Sequence, residues 1–247
     1  MRIHVYAVCY NEQTLMPFFL RHYSQLADEI TIFDNMSVDN TLSIIKEFKS
    51  SSPIPVNIVS YNTGNRFSDT KNLQLKNMTI KLSKGKDDWI IVVDTDELIV
   101  HSSLRTRLEE LSDFDVIHPK AYHMIGDNIP VDDGKQLTEL ITSGVFDHYH
   151  SKPCIINTNR ISRLDFDAGA HHLNTDGGKV LKWTDCDIKL LHYKWLSLQY
   201  VISNYKRNAE RLSDENLQRG WGFHYRWDES KIKQEYESLK QKSERVM

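Results

Sequence analysis

The chain has 247 residues, 40% of them hydrophobic and 26% charged, with only ten glycines and six prolines. That composition belongs to an ordinary globular protein long enough for one large domain or one and a half, and no internal repeat or low-complexity tract interrupts it. A net charge of −3 gives no general attraction to nucleic acid or to an anionic bilayer, so any negatively charged ligand must be held locally.

Cys9, Cys154 and Cys186 are widely spaced, with no CxxC or Cys/His finger pattern. This speaks against a disulfide framework and structural zinc, and it fits a reducing compartment. The opening MRIHVYAVCYNE is broken by Arg2, His4 and Asn11 and does not read as a signal peptide. No segment reaches the ~18 to 20 apolar residues that span a bilayer. A cytoplasmic, soluble protein is expected, with any membrane contact peripheral.

Ile3 to Cys9 is rich in β-branched residues and predicts a first strand, closed by the polar turn Tyr10-Asn11-Glu12. Leu15, Phe18, Phe19, His22, Tyr23 and Leu26 recur at helical spacing. Glu29 to Phe33 predicts a second strand that stops at DNMSVDNT. A helix carrying Leu42, Ile44, Ile45 and Phe48 follows, entered through Asp39 and Thr41 as capping residues. Val56 to Ser60 reads as a third strand. It leads through YNTGNRFSDTKN to a helix with Leu73, Leu75, Met78, Ile80 and Leu82 as its apolar positions. Trp89 to Leu98, WIIVVDTDEL, is an apolar run ending in Asp94, Asp96 and Glu97.

Strands alternating with helices predict βαβ units and a mostly parallel sheet, in which ligands bind beyond the carboxyl ends of the strands. Asn11-Glu12, Asp34-Asn35, Asn62-Thr63 and Asp94-Asp96 all fall at such ends. Carboxylates crowded at a strand's end repel one another unless a cation sits between them. Oxygen ligands suit Mg²⁺ or Mn²⁺, and those ions in turn hold phosphates. An acidic capping turn is the plainer reading of Asp94 and Asp96 alone, but four polar clusters on one edge favour a metal-diphosphate site.

Beyond Glu97 the rhythm changes. Leu104 to Leu111 predicts a short amphipathic helix, Asp115 to Pro119 a strand, and Gly126 to Gly144 a polar loop with a short element inside. Lys152 to Asn157 and Asp187 to Tyr193 predict further strands, and the segment from Ser197 is mostly helical, interrupted by the aromatic stretch Gly220 to Trp227.

The motifs AVCYNE, FDNMSVDNT, TGNRFSDTKN and VVDTDE, in this order and spacing, resemble those of the glycosyltransferases of family 2 and their relatives with the GT-A fold. The resemblance implies one α/β domain with a mostly parallel central sheet flanked by helices. Residues 1–100 would be its nucleotide-sugar-binding half, and residues 101–247 its acceptor-side half with C-terminal helices. It further implies a metal-dependent enzyme, using Mn²⁺ or Mg²⁺, that moves a sugar from a UDP- or GDP-linked donor to a glycan, a lipid-linked acceptor or another hydroxyl. Synthesis of surface polysaccharide or glycoconjugate is the implied setting. Tyr10, Asn11 and Glu12 would then line the nucleotide pocket, Asp34 with Asn35 would meet the base or ribose, and Lys71 and Asn72 would sit beside the donor. Asp94, Thr95 and Asp96 would flank the ribose and the metal. Ser151-Lys152-Pro153, Gly169-Ala170-His171 and Leu191-His192-Tyr193 look like the landmarks of a smaller subset of the family. A Gln-X-X-Arg-Trp motif is absent, since Gln218, Arg219 and Trp221 stand at another spacing, so processive polymer synthesis is not implied.

The chemistry of such a transfer places further demands on the chain. Breaking a sugar-phosphate bond develops negative charge on the departing diphosphate, which a cation at Asp96, with Asp94, would stabilise. His192, at the end of KLLHY, is the expected third ligand and His171 the second choice, against the plainer readings of a core histidine and a surface loop pair. Lys152 is expected to act as a point charge on phosphate or acceptor. An inverting transfer needs a carboxylate to take the acceptor proton. Of Asp147, Asp165, Asp167 and Asp176, Asp167 stands first because it is close to Gly169 and His171. For Trp221, Phe223, Tyr225 and Trp227, packing is preferred to sugar stacking.

Two other functions compete. A sugar nucleotidyltransferase would open with a Gly-rich loop and a basic residue, and CYNEQT has neither Gly nor Lys. A non-catalytic nucleotide- or glycan-binding module could use the same fold, since fold does not fix function.

Overall fold

A computed structural model describes residues 1–175 and 177–247 of the chain; Asp176, one of the four carboxylates named above, lies outside the described residues. The first part alternates as expected: β1 (Ile3–Cys9), α1 (Met16–Tyr23), β2 (Glu29–Asp34), α2 (Thr41–Ser51), β3 (Val56–Ser60), α3 (Asp69–Ser83) and β4 (Trp89–Asp94). The second part continues with β5 (Glu97–Val100), α4 (Leu104–Glu110), β6 (Val116–Ile117), β7 (Lys120–Ile125), α5 (Leu137–Leu140), β8 (Ser143–Phe146), β9 (Ile155–Asn157) and β10 (Val180–Leu181). It closes with β11 (Lys189–Trp195), α6 (Leu198–Arg211), α7 (Asp214–Arg219), α8 (Glu229–Lys242) and β12 (Glu244–Arg245).

The main sheet runs β10-β6-β9-β4-β1-β2-β3. Its pairs are parallel except at β9, which lies antiparallel to both β4 and β6. Both faces are covered, which is why β1, β2 and β4 read as near-continuous apolar runs. Alternate residues face opposite ways. Val5, Ala7, Ile30, Ile32, Ile91 and Val93 pack with Phe18, Phe19 and Tyr23 of α1, whereas Tyr6, Phe33, Ile90 and Val92 pack with Leu75 and Ile80 of α3.

A second sheet, β12-β8-β7-β11-β5, has no counterpart in the expectations drawn from the sequence. The run Trp89–Leu98 is in fact two strands. The chain turns at Thr95 and Asp96, and β5 leaves β4 to pair antiparallel with β11. β7 pairs parallel with β11, and β8 returns antiparallel to β7.

Two helices differ in detail from their sequence patterns. In α2, Thr41 is the first helical residue and Asn40 takes the cap position without a side-chain bond; Asp39 accepts from the Thr41 N–H at 2.9 Å instead. In α3, Met78 and Leu82 are exposed while Lys76, Thr79 and Ser83 are buried. The helix turns a partly polar face inward because each of these groups has a partner there. Ser83 Oγ bonds Tyr6 Oη at 2.8 Å, Thr79 Oγ1 donates to the Lys76 carbonyl at 2.7 Å, and Lys76 reaches Asp94. Among the described residues, no helix is long and apolar enough to cross a membrane.

Candidate active site

Parallel register brings the polar strand ends together. Val8 lies opposite Asp94, Cys9 opposite Asp34, and Asp34 opposite Ser60, so the carboxyl ends of β4, β1, β2 and β3 form one edge. Over this edge opens a cleft of about 730 Å³, closed on its far side by the second sheet and by α6 with the segment after α7.

Asp94 is held by two lysines. Lys76 Nζ donates to Oδ1 at 2.8 Å and Lys152 Nζ to Oδ2 at 3.4 Å, while Lys152 also meets Glu97 Oε1 at 2.5 Å. Glu97 is buried, and its other oxygen accepts from the Asp94 backbone N–H at 3.0 Å, which fixes the Asp94–Glu97 turn. Burial would push the Asp94 carboxyl up, but Lys76 and Lys152 outweigh it and hold Asp94 well below the usual carboxylate range. Burial disfavours charge on Lys152 in turn, yet Glu97 and Asp94 raise its pKa above the ordinary lysine value. Two carboxylates and two ammonium groups thus interlock in one turn.

Asp96 is oriented differently. Its Oδ2 lies 3.2 Å from His192 Nε2, and its carbonyl accepts from the Tyr193 N–H at 2.7 Å. Burial works against ionisation of Asp96, but His192 prevails and the carboxyl is held below its usual range. An oxygen and an imidazole nitrogen this close fit a cation such as Mn²⁺ that accepts both ligand types. Asp94 offers less, because both of its oxygens face lysine ammonium groups.

The other residues expected on the donor side divide into two sets. Tyr10, Glu12, Asn35, Asn72 and Thr95 line the cleft with Asp94 and Asp96. Asn11, Asp34 and Lys71 do not belong to the described wall. Asn11 takes a left-handed φ of 53° and spends its Oδ1 on the Val38 N–H at 2.8 Å, tying the first loop to the second. Asp34 is fully buried and accepts from the Ser37 N–H at 3.1 Å. Lys71 instead supplies the backbone N–H that Ser68 Oγ caps at 3.3 Å at the start of α3.

On the far side, Lys152, His171 and His192 all line the cleft. Asp167 is exposed and used by its own loop, its Oδ1 accepting from the His172 N–H at 2.9 Å. Asp165 is likewise exposed. Asp147 does line the cleft, bonded through Oδ2 to His150 Nδ1 at 2.7 Å and facing His123 Nε2 at 2.8 Å. Burial pushes His171 down to about 3, with Lys152 adding to the effect. Tyr225 and Trp227 pack beside a cluster that includes Trp195, Val201 and Tyr205, whereas Phe223 is 65% exposed where it lines the cleft.

Sequence reasoning missed Lys76, His123, His150, Arg207 and Arg211, all of which line the cleft. The arginines left a signal, standing four residues apart on one face of α6. Arg207 donates to the Asn11 carbonyl at 2.6 Å and to Glu12 Oε1 at 3.0 Å, and Arg211 lies 3.2 Å from the centre of the Tyr10 ring. The C-terminal half thus reaches back to brace the first loop.

The family model for glycosyl transferase family 2 matches residues 5–163. No curated protein matches the chain by sequence. Among solved structures, S. aureus TarS 1-349 is 14% identical with a TM-score of 0.52, over 85% of this chain and 65% of that one. The mannosyltransferase PcManGT from Pyrobaculum calidifontis, in complex with GDP-Man and Mn²⁺, is also 14% identical with a TM-score of 0.52, over 83% of this chain and 61% of that one. The chain therefore spans less than two thirds of the length of either, and at these identities the likeness is one of fold.

Proposed function

The chain belongs to glycosyl transferase family 2 and has the GT-A fold, and from that premise we propose that it transfers a sugar from a UDP- or GDP-linked donor to a hydroxyl acceptor with the help of Mn²⁺ or Mg²⁺. The observation that carries this reading is the turn Asp94–Glu97 at the carboxyl edge of parallel strands, with Asp96 on His192 and Asp94 between two lysines. Residues 1–100 supply the donor half and residues 101–247 most of the acceptor side.

In this reading the nucleotide rests against Tyr10, Glu12, Asn35 and Asn72, and the diphosphate points toward Asp96. Asp96 and His192 hold the divalent cation, which when bound supplies Lewis-acid stabilisation of the departing diphosphate. Asp94 keeps Lys76 and Lys152 beside the path of the phosphates. As charge grows on the leaving group these fixed ammonium groups need not reorganise, and that is where preorganised electrostatics lowers a barrier. Arg207 and Arg211 hold the first loop in place, so orientation of the nucleotide depends on α6. The acceptor is a glycan or lipid-linked hydroxyl compound entering along His171 and Phe223, in a cytoplasmic pathway to surface polysaccharide or glycoconjugate.

A thermal-shift and hydrolysis panel of UDP- and GDP-sugars, with and without Mn²⁺, tests the proposal on the wild type and on Asp96→Ala. One donor is expected to stabilise the protein and turn over only with the metal, with both effects lost in the variant. Stabilisation without turnover, indifferent to Mn²⁺ and to Asp96, would instead mark a binding module.

A further inference from the structure

β7 and β11 are parallel neighbours whose register sets His123 directly opposite His192. Side chains opposite each other on adjacent strands project to the same face of a sheet, so these two imidazoles stand side by side, their ring centroids 5.1 Å apart. The turn after β8 adds a third ring. His150 lies with its centroid 4.6 Å from His123 and 4.9 Å from His192. One ring nitrogen from each of the three falls within 4.8 Å of those of the other two.

Two carboxylates stand beside these rings. His123 Nε2 and His150 Nδ1 meet Asp147 Oδ2 at 2.8 and 2.7 Å, and His192 Nε2 meets Asp96 Oδ2 at 3.2 Å. This leaves His123 Nδ1, His150 Nε2 and His192 Nδ1 free of carboxylates. His123 and His192 are only 9% and 6% exposed, and their Nδ1 atoms have no hydrogen-bond partner among the described residues. Buried polar atoms are normally paired, so two orphans within one cluster require a partner. A carboxylate behind an imidazole is also the usual support of a metal-ligating histidine, since it fixes the tautomer and raises the basicity of the opposite nitrogen.

We propose that His123, His150 and His192 form a second, nitrogen-rich cation site that takes Zn²⁺ or a similar imidazole-preferring divalent ion, distinct from the oxygen-bearing site at Asp96. Three imidazoles suit Zn²⁺, and three protein ligands leave a fourth position open, here toward the cleft that all three residues line. Asp147 is the positioning residue for two of the ligands. His192 belongs to both groups, and since a neutral imidazole has one lone-pair nitrogen it serves one of them at a time. The ion would join β7, β11 and the turn after β8 into one fixed wall. The inference does not rest on the glycosyl-transfer reading, because the site is defined without a donor.

Titration of the nucleotide-free protein with Co²⁺, followed by the visible absorption of the bound ion and by displacement with Zn²⁺, tests it. One equivalent is expected to bind to the wild type and to Asp96→Asn. His123→Gln and His150→Gln should abolish the signal, and Asp147→Asn should weaken binding about 10- to 100-fold. Thermal melts establish that each variant is folded; if His123→Gln is not, His150→Gln decides, since it alters a half-buried turn residue. No binding to the wild type overturns the proposal. So does binding that survives both histidine variants and vanishes in Asp96→Asn, because the ion then belongs to the Asp96–His192 pair alone.

Discussion

One wall of the cleft is built from the ends of adjacent parallel strands and the other from β7, β11 and the turn after β8. On the first wall Asp94 and Glu97 pair with Lys76 and Lys152, and Glu12, its carboxyl pushed up to about 8 by burial, accepts from Arg207. On the second wall the carboxylates Asp147 and Asp96 face imidazoles. The difference lies in what each can accept. Ammonium groups are compact point charges suited to phosphate, whereas imidazoles offer nitrogen ligands and suit a softer cation.

Asp96 is where the two walls meet, so its replacement should have the largest effect. Asp96→Ala is expected to lower metal-dependent donor turnover by about a thousandfold, equivalent to about 4 kcal/mol of transition-state stabilisation. Steady-state hydrolysis at saturating Mn²⁺ measures it. A loss below tenfold would mean that the walls work independently and that the cation is held without Asp96.

Lys152→Met tests the first wall by itself. Glu97 is 1% exposed, and without Lys152 its charge has no close partner among the described side chains. Breaking a buried pair in this way costs about 3–5 kcal/mol. For a chain of this size that lowers Tm by roughly 10 °C. The double variant Lys152→Met/Glu97→Gln should recover part of the loss, because the orphaned charge goes with it.

The two walls also differ in how far they could be read in the sequence. The first repeats one signal, an apolar run followed by a polar cluster, and parallel topology then places every cluster on the same edge. Asn11 and Asp34 nonetheless stand off the cleft wall, because a polar side chain at a strand end can turn to bind loop backbone, Asn11 that of the second loop and Asp34 that of its own. The second wall has no repeated signal. His123 lies in KAYHMI, a strand hidden between a predicted strand and a predicted loop, and only the β7–β11 register gives it His192 as a neighbour. His150 becomes visible only once Asp147 caps its turn, accepting from the Tyr149 N–H at 2.8 Å. The sheet that builds this wall starts where β5 leaves β4, inside what reads as one apolar run.

β5 is the seam between the walls, and a smaller effect is expected there as pH falls. His22 Nε2–H donates to the Ile99 carbonyl of β5 at 2.8 Å, and burial pushes its pKa down to about 4. An unfolded histidine titrates near 6.5 while the folded one stays neutral, so the unfolded state binds the proton first. Stability is therefore full above pH 6.5 and falls progressively as the pH approaches 4, by about 3 kcal/mol for this group. Urea midpoints between pH 7 and 4.5 should show a shallower acid limb in His22→Gln than in the wild type. Identical limbs would place the acid sensitivity elsewhere.

The smallest effect is expected at Asp167, the carboxylate that sequence reasoning placed first as the base. Its side chain is exposed, and asparagine can still accept from the His172 N–H with its Oδ1. Asp167→Asn should therefore change stability by no more than about 0.5 kcal/mol. Transfer to acceptor should stay within about twofold, a difference of about 0.4 kcal/mol in the barrier. The informative measurement compares transfer with donor hydrolysis. Loss of transfer with hydrolysis intact would mean that the loop carrying Ala168 to His171 swings Asp167 onto the acceptor when both substrates are bound. The second wall would then be a moving surface, its histidines fixed in the sheet while its carboxylate arrives from outside. Unchanged transfer would leave the proton to a group already in the wall, where Asp147 lines the cleft with its Oδ2 between His123 and His150.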